Sequence, residues 1–395
     1  MKLKLVISLT GILMLYGFTM KPSTDTTTGK EDNRSWVLGP FVRPEGANPV
    51  ISPQPTSFYC PMQKQQVKWE ESDTFNPAAT VKDGKIVVLY RAEDNSAQGI
   101  GKRTSRIGYA ESTDGVTMTR LDTPVLFPAE DNFKGIEWPG GCEDPRVAMT
   151  EDGLYVMLYT AWNRKTPRIA VATSRDLKNW TKHGLAFEKA YDGRFTKIAS
   201  KSASILTKVK KEKLVIDKVD GKYFMYWGEY AVHAATSDNL VDWYPVLDEK
   251  NELKKLARPR KGHFDCQMTE CGPPAIRTKK GIVLLYNGKN AGKDRDTSYP
   301  AGAYCAGQFL FDNNDPYKVL DRLDKPFFVP EAPFEKSGQY KDGTVFIEGL
   351  AYYKKKLYLY YGCADSRIAV YSKKSIQFII INMSILEGTS VNHIM

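Results

Sequence analysis

Short apolar runs of strand length recur along the chain, several ending on tyrosine and bounded by polar turns. Ile86-Val87-Val88-Leu89-Tyr90, Tyr155-Val156-Met157-Leu158-Tyr159 and Tyr223-Phe224-Met225-Tyr226-Trp227 have this form, as do Ile282-Val283-Leu284-Leu285-Tyr286 and Leu357-Tyr358-Leu359-Tyr360-Tyr361. Runs this short, rich in β-branched and aromatic residues and flanked by turn formers, predict buried strands. Each follows a polar strand mouth and a turn, at Asp83-Gly84, Asp152-Gly153, Asp220-Gly221, Gly281 or a lysine run. A third strand recurs as Ile107–Ser112, Ile169–Ser174, Val232–Ser237 and Ile368–Tyr371. Two of these lead into near-identical turns ending in Trp180 and Trp243, which read as structural. No amphipathic helix of any length interrupts the pattern.

A repeat of several short strands, roughly 60 to 75 residues long, predicts radial stacking as a β-propeller. The expectation is an all-β, five-bladed propeller over residues 36–374, preferred to a β-sandwich because a sandwich requires no internal repeat. In a propeller the innermost strands line a central channel and their mouths converge at one end. The mouths carry Asn76, Asp144, Lys201, Glu270 and Glu348, and the second strands end at Arg91, Glu229, Asn287 and Asp365. That places a polar active site at one end of the channel.

The flanks break the pattern. Residues 1–20 open with lysines and continue into an apolar run, a signal-peptide arrangement too short to span a bilayer comfortably. No cysteine precedes Cys60, which argues against a lipid anchor. Export is the expectation, to the periplasm of a Gram-negative bacterium, with an uncleaved anchor as the alternative. Residues 21–35 read as a polar linker. Residues 375–395 form an atypical tail that leaves closure of the last blade open. A net charge of +10 raises nucleic acid as a partner, but the lysines are dispersed or clustered at hairpin tips, so no nucleic-acid binding is expected. Six cysteines match no zinc spacing, and only four histidines are present, so neither metal nor cofactor is expected. Disulfides and buried free thiols both remain open; oligomeric state is not readable.

Gly140-Gly141-Cys142-Glu143-Asp144-Pro145-Arg146-Val147 concentrates the candidate chemistry. Pro145 biases Asp144 toward extended backbone, so the carboxylate is presented at a strand mouth. In order along the chain, Asn76-Pro77-Ala78, Leu89-Tyr90-Arg91-Ala92, Glu143-Asp144-Pro145-Arg146, Gly272-Pro273-Pro274 and Tyr361-Gly362-Cys363-Ala364-Asp365 resemble the motifs of glycoside hydrolase family 130. The resemblance implies a five-bladed propeller acting on β-mannosides, with Asp144 as general acid passing its proton through a mannose hydroxyl. It places Arg91, Arg146 and Asp365 on the sugar before the scissile bond, with Asn76 and Asp94 nearby.

Most members of that family are phosphorylases, and this sequence departs from them. Glu229 stands where a His-Arg pair would bind phosphate, Glu270 where a small residue is usual, and Asn287 where a histidine is usual. Two carboxylates would repel phosphate and suit water, so the resemblance points to the branch of inverting, exo-acting β-1,2-mannosidases. Glu229 and Glu270 are then the candidate bases, and Lys201 and Asn287 further substrate-binding candidates. The alternatives are a β-mannoside phosphorylase, with Lys201 as a remnant phosphate ligand, and a non-catalytic carbohydrate-binding propeller. Trp162, Trp227 and Tyr361 are weaker candidates for stacking on sugar.

Overall fold

The computed structural model describes residues 34–372. The signal-peptide reading, most of the linker and the atypical tail lie outside these residues. The described chain is nearly all β, as expected, with one four-residue helix, Lys134–Glu137, and one 3₁₀ turn, Pro333–Glu335.

Successive antiparallel meanders follow the repeat. Asp73–Lys82, Lys85–Glu93, Ser105–Ser112 and Thr119–Arg120 pair in order. Gly141–Met149, Tyr155–Trp162, Pro167–Ser174 and Thr181–Leu185 do the same. Ala203–Lys210, Lys222–Trp227, His233–Ser237 and Trp243–Pro245 follow, with Lys213–Ile216 added as a side hairpin. Next, Met268–Cys271 and Ala275–Thr278 both pair with Gly281–Lys289, which leads to Tyr304–Phe311 and Val319–Arg322. Val345–Tyr353, Lys356–Cys363 and Arg367–Ser372 come last.

The turn chemistry explains the hairpins. Asp83-Gly84, Lys211-Glu212, Asp220-Gly221 and Lys354-Lys355 all have both residues at positive φ. That is the backbone of a tight hairpin whose twist matches the strands it joins. Trp180 and Trp243 are structural, since their indole N–H groups donate to Leu177 O at 3.1 Å and Leu240 O at 3.0 Å within their own turns.

Apolar clusters sit between neighbouring meanders rather than in one central core. Leu89 packs with Met157, Met225 with Val156, Tyr226 with Leu284, Leu285 with Tyr361, and Tyr360 with Tyr90. The last meander has three strands of its own, and the N-terminal segment completes it. Val42 and Ser372 exchange backbone hydrogen bonds of 2.9 Å, and Ile368 N donates to Ile51 O at 2.9 Å. Closure therefore comes from residues 42–51, which carry no repeat signature. All six cysteines are free, and all but Cys266 are buried.

Candidate functional site

The strand mouths are irregular where the candidate side chains sit. Register shifts interrupt pairing between Phe75 and Pro77, between Glu143 and Arg146, and between Ile347 and Gly349. The residues set off by these bulges are Asn76, Asp144 with Pro145, and Glu348. Asn76 and Asp144 adopt φ of +45° and +47°, a left-handed backbone that L-residues enter at a cost, so Asp144 is not extended as the proline after it suggests; the bulge overrides that local bias. A bulge turns one extra side chain out of the pleat. At Asn76 and Asp144 it turns that side chain into a cavity of about 460 Å³.

Asn76, Arg91, Asp144, Lys201, Glu229, Glu270 and Asp365 all line this cavity. Asp144 is its most heavily engaged carboxylate. Oδ1 accepts from Asn76 Nδ2 at 2.9 Å and from Arg91 Nη1 at 3.0 Å, and Oδ2 lies 3.3 Å from Lys201 Nζ. Gly362 makes the Asn76 contact possible, because a Cβ there would come within 2.6 Å of Asn76 Oδ1. Arg91 also reaches Glu93 at 2.6 Å and Glu143 at 2.8 Å, and its guanidinium lies over the Phe75 ring. Lys201 Nζ is 3.7 Å from Glu229 Oε1, so it stands between Asp144 and Glu229. Asp144 Oδ2 and Glu229 Oε1 are thus no further apart than those two legs allow. Glu270 is buried and accepts a short hydrogen bond from Ser202 Oγ, and Ser202 itself sits at φ +62°.

The electrostatics sort these groups. Burial pushes the Glu270 carboxyl up to about 7, against the pull of Lys201 and with the push of Glu229. Burial likewise raises Glu143 and Asp365 to about 7, each opposed by Arg91. Asp144 goes the other way: burial opposes its charge, but Arg91, Lys201 and Asn76 outweigh it and hold it below the usual carboxylate range. Burial also disfavours the Lys201 ammonium, yet Glu229, Asp144 and Glu270 raise its pKa well above the ordinary value. Asp144 is therefore held ionised, while burial favours the protonated form of Glu270. That order is the reverse of the one expected for an acid at Asp144 and a base at Glu270.

Three residues expected to hold sugar are engaged elsewhere. Arg146 is buried and spent on protein: Nε donates to Gly272 O at 3.1 Å, Nη1 to Asp144 O at 3.2 Å and Nη2 to Cys271 O at 3.0 Å. Its Nη2 also lies 2.8 Å from Glu348 Oε1, although neither Glu348 oxygen makes an aligned hydrogen bond. Asn287 donates to Ile347 O at 3.1 Å and accepts from Ile347 N at 2.8 Å, joining two meanders. Asp94 pairs with Arg106 at 2.8 Å and caps its own loop through Ser96 N at 3.1 Å. Among the weaker candidates, Trp162 lines the cavity. Trp227 is buried against Phe187 and His233, and Tyr361 is buried with its hydroxyl on Glu335.

The cavity also contains Glu143, which the motif includes without an expected role, and four residues that the motifs did not indicate: Lys289, Tyr304, Gln339 and Tyr340. Lys289 rests over the rings of Tyr304 and Tyr340, 4.8 and 5.4 Å from their centroids. Among the described residues no group of three or more His, Cys, Asp and Glu could hold a metal ion, and no helix is long and apolar enough to cross a membrane.

Comparison with known proteins fits this geometry. Residues 47–381 match the model of glycoside hydrolase family 130, described as β-1,4-mannooligosaccharide phosphorylase. A 1,2-β-oligomannan phosphorylase of Thermoanaerobacter sp. (strain X514) is 33% identical, over 80% of this chain and 96% of the relative. A β-1,2-mannobiose phosphorylase of the same organism is 30% identical, over 79% of this chain and 94% of the relative. One solved structure is 63% identical with a TM-score of 0.85, covering 86% of this chain and 94% of that one. It was described with the statement that this family of mannoside phosphorylases contains glycoside hydrolases targeting β-1,2 mannosidic linkages in Candida mannan.

Proposed function

Glycoside hydrolase family 130, to which this chain belongs, acts on β-mannosides, and we propose that the chain releases mannose from the end of a β-1,2-linked mannoside by hydrolysis with inversion. The observation that carries this reading is the pair Glu229 and Glu270 beside Lys201, in the cavity that holds Asp144. Phosphate attacking there would face two carboxylates. At about 4 Å and an effective dielectric near 20, each full charge pair costs roughly 4 kcal/mol. Water meets no such barrier, and a carboxylate can accept its proton. Glu270, pushed up to about 7, is matched to accepting a proton near neutral pH.

Asp144 must hold a proton when the leaving oxygen departs. Its contacts with Arg91, Asn76 and Lys201 favour the ionised form. A sugar ring that loosens those contacts and excludes water raises its proton affinity, so acid character develops as substrate binds. The fold we propose is a five-bladed propeller with this site at one end of its channel. The successive meanders and the apolar clusters between neighbours support it.

A second reading is phosphorolysis of the same linkage, and the names of the curated relatives fit it better. Lys201 and Lys289 are the cations at hand for the anion. One experiment separates the two: incubation with β-1,2- and β-1,4-linked mannobiose, with and without phosphate. Hydrolysis predicts mannose alone and no response to phosphate. Mannose 1-phosphate among the products would overturn hydrolysis in favour of phosphorolysis.

A further inference from the structure

Hydroxyl groups recur along the inner strand of the third meander at a fixed offset from the fourth. Ser204 Oγ donates to Gly272 O at 2.8 Å and Thr207 Oγ1 to Ala275 O at 2.7 Å, each satisfying a backbone carbonyl 68 residues on. Ser202 stands at the same offset from Glu270, but its hydroxyl meets a side chain: Oγ donates a short hydrogen bond to Glu270 Oε1. Among the described residues this is the one hydrogen bond that the Glu270 carboxylate accepts, so Oε2 is the oxygen open to a water.

The local backbone makes that contact. Ser202 is 2% exposed and sits at φ +62°, a conformation that a non-glycine residue holds only where its surroundings enforce it. Successive side chains on an extended strand point to opposite faces. The left-handed turn at Ser202 breaks that alternation. Lys201 Nζ reaches Asp144 and Glu229 while Ser202 Oγ reaches Glu270, and all three carboxylates line one cavity. The neighbouring mouths are fastened to this turn. Gly228 N donates to Lys201 O at 3.0 Å, Cys271 N to Gly228 O at 3.0 Å and Thr269 N to Glu229 O at 2.8 Å. Lys201-Ser202, Gly228-Glu229 and Thr269-Glu270 are therefore stitched into one block.

We propose that Ser202 is a positioning residue for the base: its hydroxyl pins Glu270 Oε1 and so leaves Oε2 to the water that attacks the sugar. The proposal rests on the reading of Glu270 as a base. The strained turn then serves to aim two consecutive side chains at one site. A hydroxyl donates more strongly to a carboxylate than to the neutral acid, so Ser202 also favours the form that can accept a proton. Lys201 and Arg146 act on Glu270 in the same direction, while burial and Glu229 oppose them. Glu348 faces Glu270 as well, and burial pushes its carboxyl well up. The phenols of Tyr304 and Tyr340 and the thiol of Cys271 are also pushed up by burial and stay neutral. None of these groups is removed with the Ser202 hydroxyl.

The test is the pH profile of kcat/KM on β-1,2-mannobiose. In Ser202→Ala the acidic limb set by Glu270 should move up by roughly one pH unit, a loss of about tenfold below the limb that shrinks as pH rises. KM should change little. Ser202→Gly also lacks the hydroxyl but takes φ +62° without strain. It should show the same shift in a protein at least as well folded as Ser202→Ala. Thr207→Val removes another hydroxyl of the same row and should lower Tm without moving the limb. Added to Glu270→Gln, Ser202→Ala should lose little further turnover, because no carboxylate is left to orient. An unmoved limb in either Ser202 variant would overturn the positioning role. If instead Glu270→Gln turns over like the unsubstituted protein, or mannobiose is not cleaved at all, the reading of Glu270 as base has failed and the role of Ser202 falls with it.

Discussion

Glu270→Gln separates what the fold wants from what the chemistry needs. Glu270 is 3% exposed, and burial pushes its carboxyl from 4.5 to about 7 despite Lys201. The folded protein thus holds the Glu270 proton more tightly than the unfolded chain does. Ionising the group costs the native state nothing below about pH 4.5; the cost grows through the interval and is complete above about pH 7. At about 1.4 kcal/mol per pH unit, the full cost is roughly 3 kcal/mol. Glutamine removes the charge and keeps an oxygen for Ser202 Oγ, which now donates to Glu270 Oε1. Thermal unfolding of both proteins at pH 5 and pH 8 reads the difference. At pH 8 the variant should be more stable, with a Tm gain on the order of 5 °C. At pH 5 most of that gain should vanish. No gain at pH 8, or an equal gain at both pH values, would refute the claim that a costly buried charge sits at this position.

Other consequences of the same geometry can be measured directly. Glu229→Gln should lower turnover by roughly 10²- to 10⁴-fold with little change in mannoside binding, and Asp144→Asn should lose at least as much; steady-state kinetics and equilibrium titration check both. Since Glu270 is raised to about 7, kcat/KM should fall as pH drops below about 7 and the base takes up a proton. A profile flat from about pH 5 to 8 excludes Glu270 as the base. Asn287→Ala should destabilise by roughly 2 kcal/mol or more in denaturant unfolding, because it strands the buried N–H and C=O of Ile347.

The strands and their turns were legible because the repeat is local: Asp83-Gly84 and Asp220-Gly221 determine tight hairpins without reference to the rest of the chain. The cluster around Asp144 was legible for a related reason, since convergence of strand mouths follows from the repeat. What could not be read was which way each mouth residue points. Arg146 follows Asp144 by two positions, yet its guanidinium crosses to Gly272 O and Cys271 O instead of entering the cavity. Asn287 ends a strand as Arg91 does, but its amide matches the backbone of Ile347 in both donor and acceptor, which only the assembled neighbour reveals. Closure by residues 42–51 was invisible because two short bridges need no periodicity. The ionisation order was also hidden, because it depends on Arg91 and Lys201 reaching one carboxylate from different strands.

The bulges at Asn76, Asp144 and Glu348 bear on how such a site can change over evolutionary time. Side chains along a strand alternate faces, so a single insertion or loss would normally turn every later residue inside out. Here the extra residue is absorbed at the mouth, and pairing resumes in step at Pro77, Arg146 and Gly349. Residues beyond the bulge keep their places between neighbouring sheets whatever side chain the bulge presents. Replacing a carboxylate by an amide there rewrites chemistry without repacking anything. Deleting the residue would instead slide Val147, Met149 and their strand by one position, exchanging them with Ala148 between the two apolar clusters that flank the strand. Such a scaffold is permissive to substitution and intolerant of indels at the same few positions, so lineages built on it can change the groups at these strand mouths while their sheets stay superimposable.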